Sequence, residues 1–466
     1  MATDKIAIES RGNQSMTVLF KSQRVITAQG EQAATVVVDD GIIQAIKSYD
    51  YTDDTADIHD FDNRVLMPGL VDSHVHINEP GRTDWEGFDT ATHAAAAGGI
   101  TTVVDMPLNC IPVTTNASAI DEKLATVCDK LWIDAAFWGG ATADNLAELP
   151  ALLDSGVLGV KSFTIHSGID EFQFVNEVQL KDAMRELAKR GLPHLVHAEV
   201  DHDHSEAMEI ASSYRSFLNT RPCAWENDAI TMVIRVMREL KAEGLAPHAH
   251  IVHLSSAEAL PMIRGARQEG LNLTVETCPH YLVLDAETIP DGQATYKCCP
   301  PIREKENQQQ LWQALLDGTI DCVVSDHSPC TPQLKNLDSG DLEKAWGGIS
   351  GLQFGLSLIW TEAKQQGIEL ATVVNWMCHR SAKVAGLDEK GQIAVGKKAD
   401  LCVFDPEASY TITPDIIHHR HKISPYVNRT VTGLVQETIL AGKTVYRDGK
   451  FFGTASGKPI LNQEDK

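Results

Sequence analysis

Between residues 64 and 329 the chain alternates, eight times over, a short apolar strand-like run with a longer amphipathic stretch. Few architectures accept that order. Strands joined by helical crossovers run parallel, and a parallel sheet needs cover on both faces. The runs are "RVLMPGLVDSHVHI", "TTVVDMP", "DAAFWGGA", "GVKSFT", "PHLVHAE", "HIVHLSS", "LTVETCPHYL" and "DCVVSDHSP". Amphipathic stretches such as "NEVQLKDAMRELAKRG" and "DAITMVIRVMRELKAEG" separate them. In the second, Ile230, Val233, Ile234, Met237 and Leu240 recur at helical spacing, and Gly244 is a natural stop. Eight such units predict an α/β chain closed into a (β/α)8 TIM barrel.

The two ends follow another rule. Residues 16–48, 392–405 and 431–452 alternate with Gly and Asp-Gly turns and hold no helical pattern. Short antiparallel strands are expected, joined from both chain ends into one small β-sandwich domain, with two independent flaps as the alternative. The expected division is 1–66 and 389–466 for the small domain and 67–388 for the barrel.

The formal charge of −24 argues against nucleic acid or an anionic membrane surface as partner. No stretch reaches the ~20 apolar residues of a membrane span. The opening "MATDKIAIESRGNQ" lacks the apolar core of a secretory signal. Ten cysteines without a CxxC spacing read as reduced thiols of a cytoplasmic protein.

In a barrel of this kind, function collects where strands end. His74 and His76 close the first run, and residues i and i+2 of a strand share a face. Alone, the pair is either a set of metal ligands or two polar residues at a strand end. Lys161, His197, His253 and Asp326 close four further runs. Imidazoles and a carboxylate are the ligands that zinc-like ions prefer.

These residues carry a resemblance. Through "MPGLVDSHVHINEPG", "AAAAGGITTVVDMP", "GVKSFT", "HAE", "HLSS", "SDHSP", "GKKADLCVFDP" and "HRHKISPY" the chain resembles, over nearly its whole length, the amidohydrolase superfamily. The branch is that of the cyclic-amide hydrolases, which holds allantoinases, dihydroorotases and hydantoinases. The resemblance implies two divalent ions, zinc first and cobalt or manganese as alternatives. It gives His74, His76 and Asp326 to the buried ion and His197 and His253 to the exposed one. Lys161, carboxylated by CO2, bridges both, because an ammonium has no lone pair to offer. All six positions are filled, unlike those of non-catalytic relatives. Water between two such ions ionises near pH 7 instead of about 15.7. As the hydroxide attacks the amide carbon, Asp326 takes its proton and passes it to the departing nitrogen.

Substrate choice rests on fewer residues. Dihydroorotases carry arginine two residues after the histidine pair, where this chain has Asn78, so an uncharged polar ring is favoured. Cys299 stands where dihydroorotases usually have asparagine and hydantoinases serine; His166 stands where hydantoinases place a tyrosine. "NEPGRTDWEGF" and "KCCPPIRE" are most similar to the allantoinase branch, which opens the hydantoin ring of allantoin to allantoate in purine catabolism. Hydantoinase (dihydropyrimidinase) or dihydroorotase activity is the alternative within the branch, and a non-enzymatic scaffold the alternative outside it.

Asn78 and Asn109 are candidate substrate contacts, or else an Asx-turn and a loop cap. Cys299 lines the pocket or packs, and Glu79 and Arg82 are a candidate rim pair. "DHDHS", 201–205, reads as a solvated loop and "HHRH", 418–421, as an interdomain contact. "AWGGISGLQ" has the glycines of a loop that brings backbone close to a ligand. The resemblance further implies self-association, commonly as a homotetramer.

Overall fold

A computed structural model describes residues 17–201 and 209–462; the "DHDHS" segment beyond Asp201 lies outside them. The chain enters through β1 (Val18–Thr27), β2 (Gly30–Asp39), β3 (Ile42–Lys47), β4 (Asp57–Asp60) and β5 (Val65–Pro68). The eight barrel positions follow: β6 (Leu70–Val75), β7 (Ile100–Asp105), β8 (Asp134–Phe137) with its continuation β9 (Gly139–Gly140), β10 (Val160–Phe163), β11 (Pro193–His197), β12 (His248–Ile251), β13 (Asn272–Thr277) and β14 (Cys322–Val323). The chain closes with β15 (Leu401–Thr411), β16 (Thr430–Leu440), β17 (Lys443–Arg447), β18 (Lys450–Phe451) and β19 (Pro459–Ile460).

The barrel strands pair in parallel, each with the next. The ring closes where the His76 N–H donates to the His327 carbonyl at 2.8 Å, beside the parallel bridge of Val75 and His327. Helices cover the outside as the periodicity predicts. In the helix Cys223–Ala242, Ile230, Val233, Ile234, Met237 and Leu240 are all buried, each worth about 1.5–3 kcal/mol. Gly244 ends it with φ +85. Helix Glu177–Ala188 starts from a capping box made by Asn176 and Gln179.

The first apolar run is not one strand. It divides at Gly69 between two sheets: β5 lies beside β1 and β15, and β6 opens the barrel. A Cβ at Gly69 would come 2.3 Å from the Thr101 side chain, so only glycine passes there.

Both chain ends share one sheet, in the order β18-β17-β16-β15-β5-β1-β2-β3 with β4 beside β1. Asp40-Gly41, Ala441-Gly442 and Asp448-Gly449 each take two successive positive φ values, the two-residue hairpin turns that match strand twist. Ile43 of β3 and Ile439 of β16 lie in one core with Phe20, Val36 and Leu401. A flat sheet would hold them apart, so this one curls over its own apolar face.

The last segment leaves this sheet. β19 pairs in parallel with β8, and the Asn462 N–H donates at 2.7 Å to the Gly156 carbonyl ahead of β10. The tail thus fills the barrel seam between β8 and β10.

Candidate metal centre and active site

The strand ends converge. His74 Nε2 lies 3.2 Å and His76 Nε2 3.6 Å from Asp326 Oδ1. The His74 ring is 5.4 Å from those of His76 and His253, and His253 is 4.6 Å from His197. Lys161, also buried, lies close enough to Glu276 and Asp326 to feel both charges. His253 and Asp326 hold left-handed backbone, φ +39 and +44, a conformation rare outside glycine that clusters at functional sites.

Burial sets the charge states. It pushes His76 down to about 4 and His253 well below its ordinary value, so both are neutral, the form that binds metal. It pushes the Lys161 ammonium down to about 7, which makes the nucleophilic amine accessible near neutral pH. Burial opposes ionisation of Asp326, but His74 and His76 more than offset it and hold the carboxyl at about 2.

The donor atoms fit divalent ions. His74 Nε2 and His253 Nδ1 are buried without a hydrogen-bond partner among the described residues. His74, His76 and Asp326 present ligand atoms all within 4.8 Å of one another. Cys278, His280 and Asp326 form a second such group, but burial drives the Cys278 thiol far above its usual range and away from the ligating thiolate.

Around this centre lie the three substrate candidates. Asn78 and Asn109 are both buried at positive φ, +66 and +70. The Asn78 amide donates to the Pro329 carbonyl at 3.2 Å, and Asn109 Nδ2 lies 3.3 Å from His76 Nδ1. Each keeps its Oδ1 buried and unpartnered. Cys299 is half-buried, its thiol against Gly347 of the "AWGGISGLQ" loop. That loop is tied down by buried Lys335, which donates to the carbonyls of Lys297 and Trp346 at 2.9 Å and to that of Gly348. Trp346 meets Trp85 edge-on at 4.9 Å.

The rim pair of Glu79 and Arg82 is not formed. Glu79 accepts the Phe88 N–H and binds Lys130, while Arg82 pairs with Glu171 at 2.9 Å. His166 is largely exposed, beside Asp170 on a loop. The "HHRH" segment is a contact between barrel and returning chain: His419 is buried 5.3 Å from His327, and Glu86 accepts from Arg420 N–H and faces His327 Nε2 at 3.2 Å.

Carboxylates behind the ligands escaped the sequence reading. Glu199 Oε2 is 2.7 Å from His197 Nε2 and is itself clamped by Arg221; Glu276 stands behind His74. Glu199 could have been found from the "HAE" spacing, since it shares a strand face with His197.

A cluster of histidine and aspartate donors fit for metal at the mouth of a (β/α)8 barrel defines the class of site. The sequence profile of the amidohydrolase family matches residues 65–445, and the chain belongs to that family. Within it, the chain is similar along most of its length to allantoinases. That of Streptomyces avermitilis is 48% identical over 93% of this chain and 96% of the relative. That of Arabidopsis thaliana is 43% identical over 94% and 90%, and that of Saccharomyces cerevisiae 46% over 87% and 89%. Among solved structures, the L-hydantoinase (dihydropyrimidinase) of Arthrobacter aurescens superposes with a TM-score of 0.88 at 29% identity, over 95% of this chain and 99% of that one.

Proposed function

We propose that the protein hydrolyses the cyclic amide of allantoin to allantoate. It is a hydrolase of C–N bonds in cyclic amides, and the allantoinases of 43–48% identity support that ring as its substrate. The observation that carries the choice is Asn78 Oδ1, a buried acceptor with no hydrogen-bond partner among the described residues, two positions past His76. Allantoin offers ring and ureido N–H donors to it, and the Asn109 amide lies 3.3 Å from His76 Nδ1 in the same cluster. A buried acceptor left unpaired costs about 1–3 kcal/mol, so this position favours a ligand that donates N–H to it. A carboxylate-bearing ring would find a neutral amide at Asn78 and no guanidinium.

His74, His76 and Asp326 would hold the buried ion, His197 and His253 the exposed one, and carboxylated Lys161 both. The chemistry such divalent ions, zinc in our reading, would supply is a water of pKa about 7 and a polarised ring carbonyl. Asp326, ionised and oriented by the left-handed turn that ends the eighth strand, accepts a proton at a carboxylate oxygen and returns it to the departing ring nitrogen. Asn78 would fix the ring by accepting its N–H, Asn109 would meet it beside His76, and Cys299, its thiol against Gly347, would bound the pocket.

All ten cysteines are free, as expected of the cytoplasm, where we place the protein as a homo-oligomer, a tetramer on the resemblance. No helix among the described residues is long and apolar enough to cross a membrane.

The test compares kcat/KM of metal-replete protein for allantoin, dihydroorotate, a 5-substituted hydantoin and dihydrouracil. Allantoin should lead. A preference for dihydroorotate would overturn the assignment.

A further inference from the structure

A line of hydrogen bonds runs along the barrel interior to the buried ligand His74. His248 Nε2, at the start of β12, lies 2.8 Å from Thr274 Oγ1. The same hydroxyl is 2.8 Å from His250 Nδ1, and His250 Nε2 is 2.9 Å from Glu276 Oε2. Glu276 Oε1 meets His74 Nδ1 and also accepts the backbone N–H of His253 at 3.2 Å. His74, His250 and Glu276 are all fully buried.

The contacts fix the proton on two of these rings. A carboxylate only accepts. His74 Nδ1 and His250 Nε2 therefore both carry hydrogen. The other His250 nitrogen, Nδ1, shares a hydrogen bond with the Thr274 hydroxyl, which in turn meets His248 Nε2. The far end of the line is His74 Nε2, left as a lone pair, buried and without a hydrogen-bond partner among the described residues.

We infer that Glu276, backed by His250 and Thr274, is the positioning device of the metal centre. It locks His74 in the tautomer whose Nε2 faces the buried ion, and it ties the backbone of His253, on the exposed ion, to the same oxygen. None of the three residues touches the ions. Sheet cohesion alone would explain a carboxylate between β6, β12 and β13, but it would not require one that sets a proton on His74 Nδ1 and so frees Nε2.

The inference rests on His74 being a metal ligand, and the test separates the two. Zinc affinity of the metal-free protein is measured by competition with a chromophoric chelator, beside its thermal midpoint. Glu276→Ala should weaken zinc ten- to hundredfold, the range for groups that orient ligands. Glu276→Gln keeps an oxygen for His74 and turns its amide N–H toward His250, whose tautomer inverts against the Thr274 hydroxyl; it should recover most of the affinity. Thr274→Val, which alters no ligand or ligand partner, should weaken zinc several-fold with little change in the metal-free midpoint. Parent-like affinity in Glu276→Ala and Thr274→Val overturns the inference. So does an equal loss in the Ala and Gln variants that tracks a lowered midpoint. If His74→Ala binds zinc like the parent, the ligand assignment itself fails; if it loses zinc while Glu276→Ala does not, only the positioning role fails.

Discussion

Replacing Asn78 by glycine isolates its role in catalysis from its role in the fold. At φ +66 an alanine would be strained, whereas glycine adopts that conformation freely, so Asn78→Gly removes the side chain alone. The structural loss is one hydrogen bond, from Nδ2 to the Pro329 carbonyl, worth about 0.5–1.5 kcal/mol of stability. The functional loss, on the proposed reading, is Oδ1, a buried acceptor that would take a substrate N–H. Leaving its donor unpaired costs about 1–3 kcal/mol, or about 5- to 150-fold in kcat/KM at 1.36 kcal/mol per decade. Water entering the vacated space would pull the effect toward the lower figure. The assay is kcat/KM for allantoin at equal metal occupancy, with the thermal midpoint recorded alongside. Asn78→Ala should share the kinetic loss and add about 1–2 kcal/mol of instability from the left-handed backbone. If Asn78→Gly is folded, metal-loaded and within twofold of the parent, the residue is only part of a loop. Ring choice would then fall to Asn109 and Cys299.

Three further outcomes are expected. Asp326→Asn should lower turnover by about 10²–10⁴-fold, the usual contribution of a positioned acid–base group, and metal content by much less; unchanged turnover places proton transfer elsewhere. Lys161→Ala should lose both activity and most of the metal, with partial rescue by short carboxylic acids, and full occupancy in that variant would remove the bridge. Burial holds His194 and His419 down at about 3, the latter among His327, Glu86 and Lys422. Below pH ~6.5 the unfolded chain therefore binds protons that the folded chain refuses, and stability falls by about 1.4 kcal/mol per pH unit for each histidine until about pH 3. Urea midpoints at pH 7 and 5 should converge in His419→Phe relative to the parent; an identical gap would discount that histidine.

Periodicity was enough to show the barrel, because an amphipathic helix such as Cys223–Ala242 must put its apolar stripe on the sheet, wherever the sheet lies. That the strand-end histidines would converge was equally legible, since polar residues ending apolar runs have few structural reasons to be there. Gly69 was not. Nothing local in "VLMPGLV" says that the two halves belong to different sheets; that is decided by Thr101 and Asp400, distant in the chain. Glu276 was missed because an acid in a strand reads as a solvent-facing position, and only the neighbouring strands place His74 and His250 against it. The Glu79–Arg82 pair failed for a related reason. Lys130 and Glu171, remote in sequence, are nearer to each residue than they are to each other. Asn78 and Asn109 lie between these cases: asparagine favours positive φ, but that their carbonyl oxygens stay unpaired is visible only in three dimensions.

The way β5 and β15 pair, and β19 enters the barrel seam, has a bearing on how the chain is made. Roughly 330 residues separate Pro68 from Leu401, so at ~5–20 residues per second a ribosome needs on the order of a minute or less to deliver the partner of a strand already synthesised. For that interval the apolar residues of β1 and β5 have no permanent cover, and β8 waits longer still for β19. The nascent polypeptide is thus a natural client for chaperones. Premature stop codons near the 3′ end of its message would release chains with half a sheet and a bare start to β8, fit for proteolysis and not for partial activity.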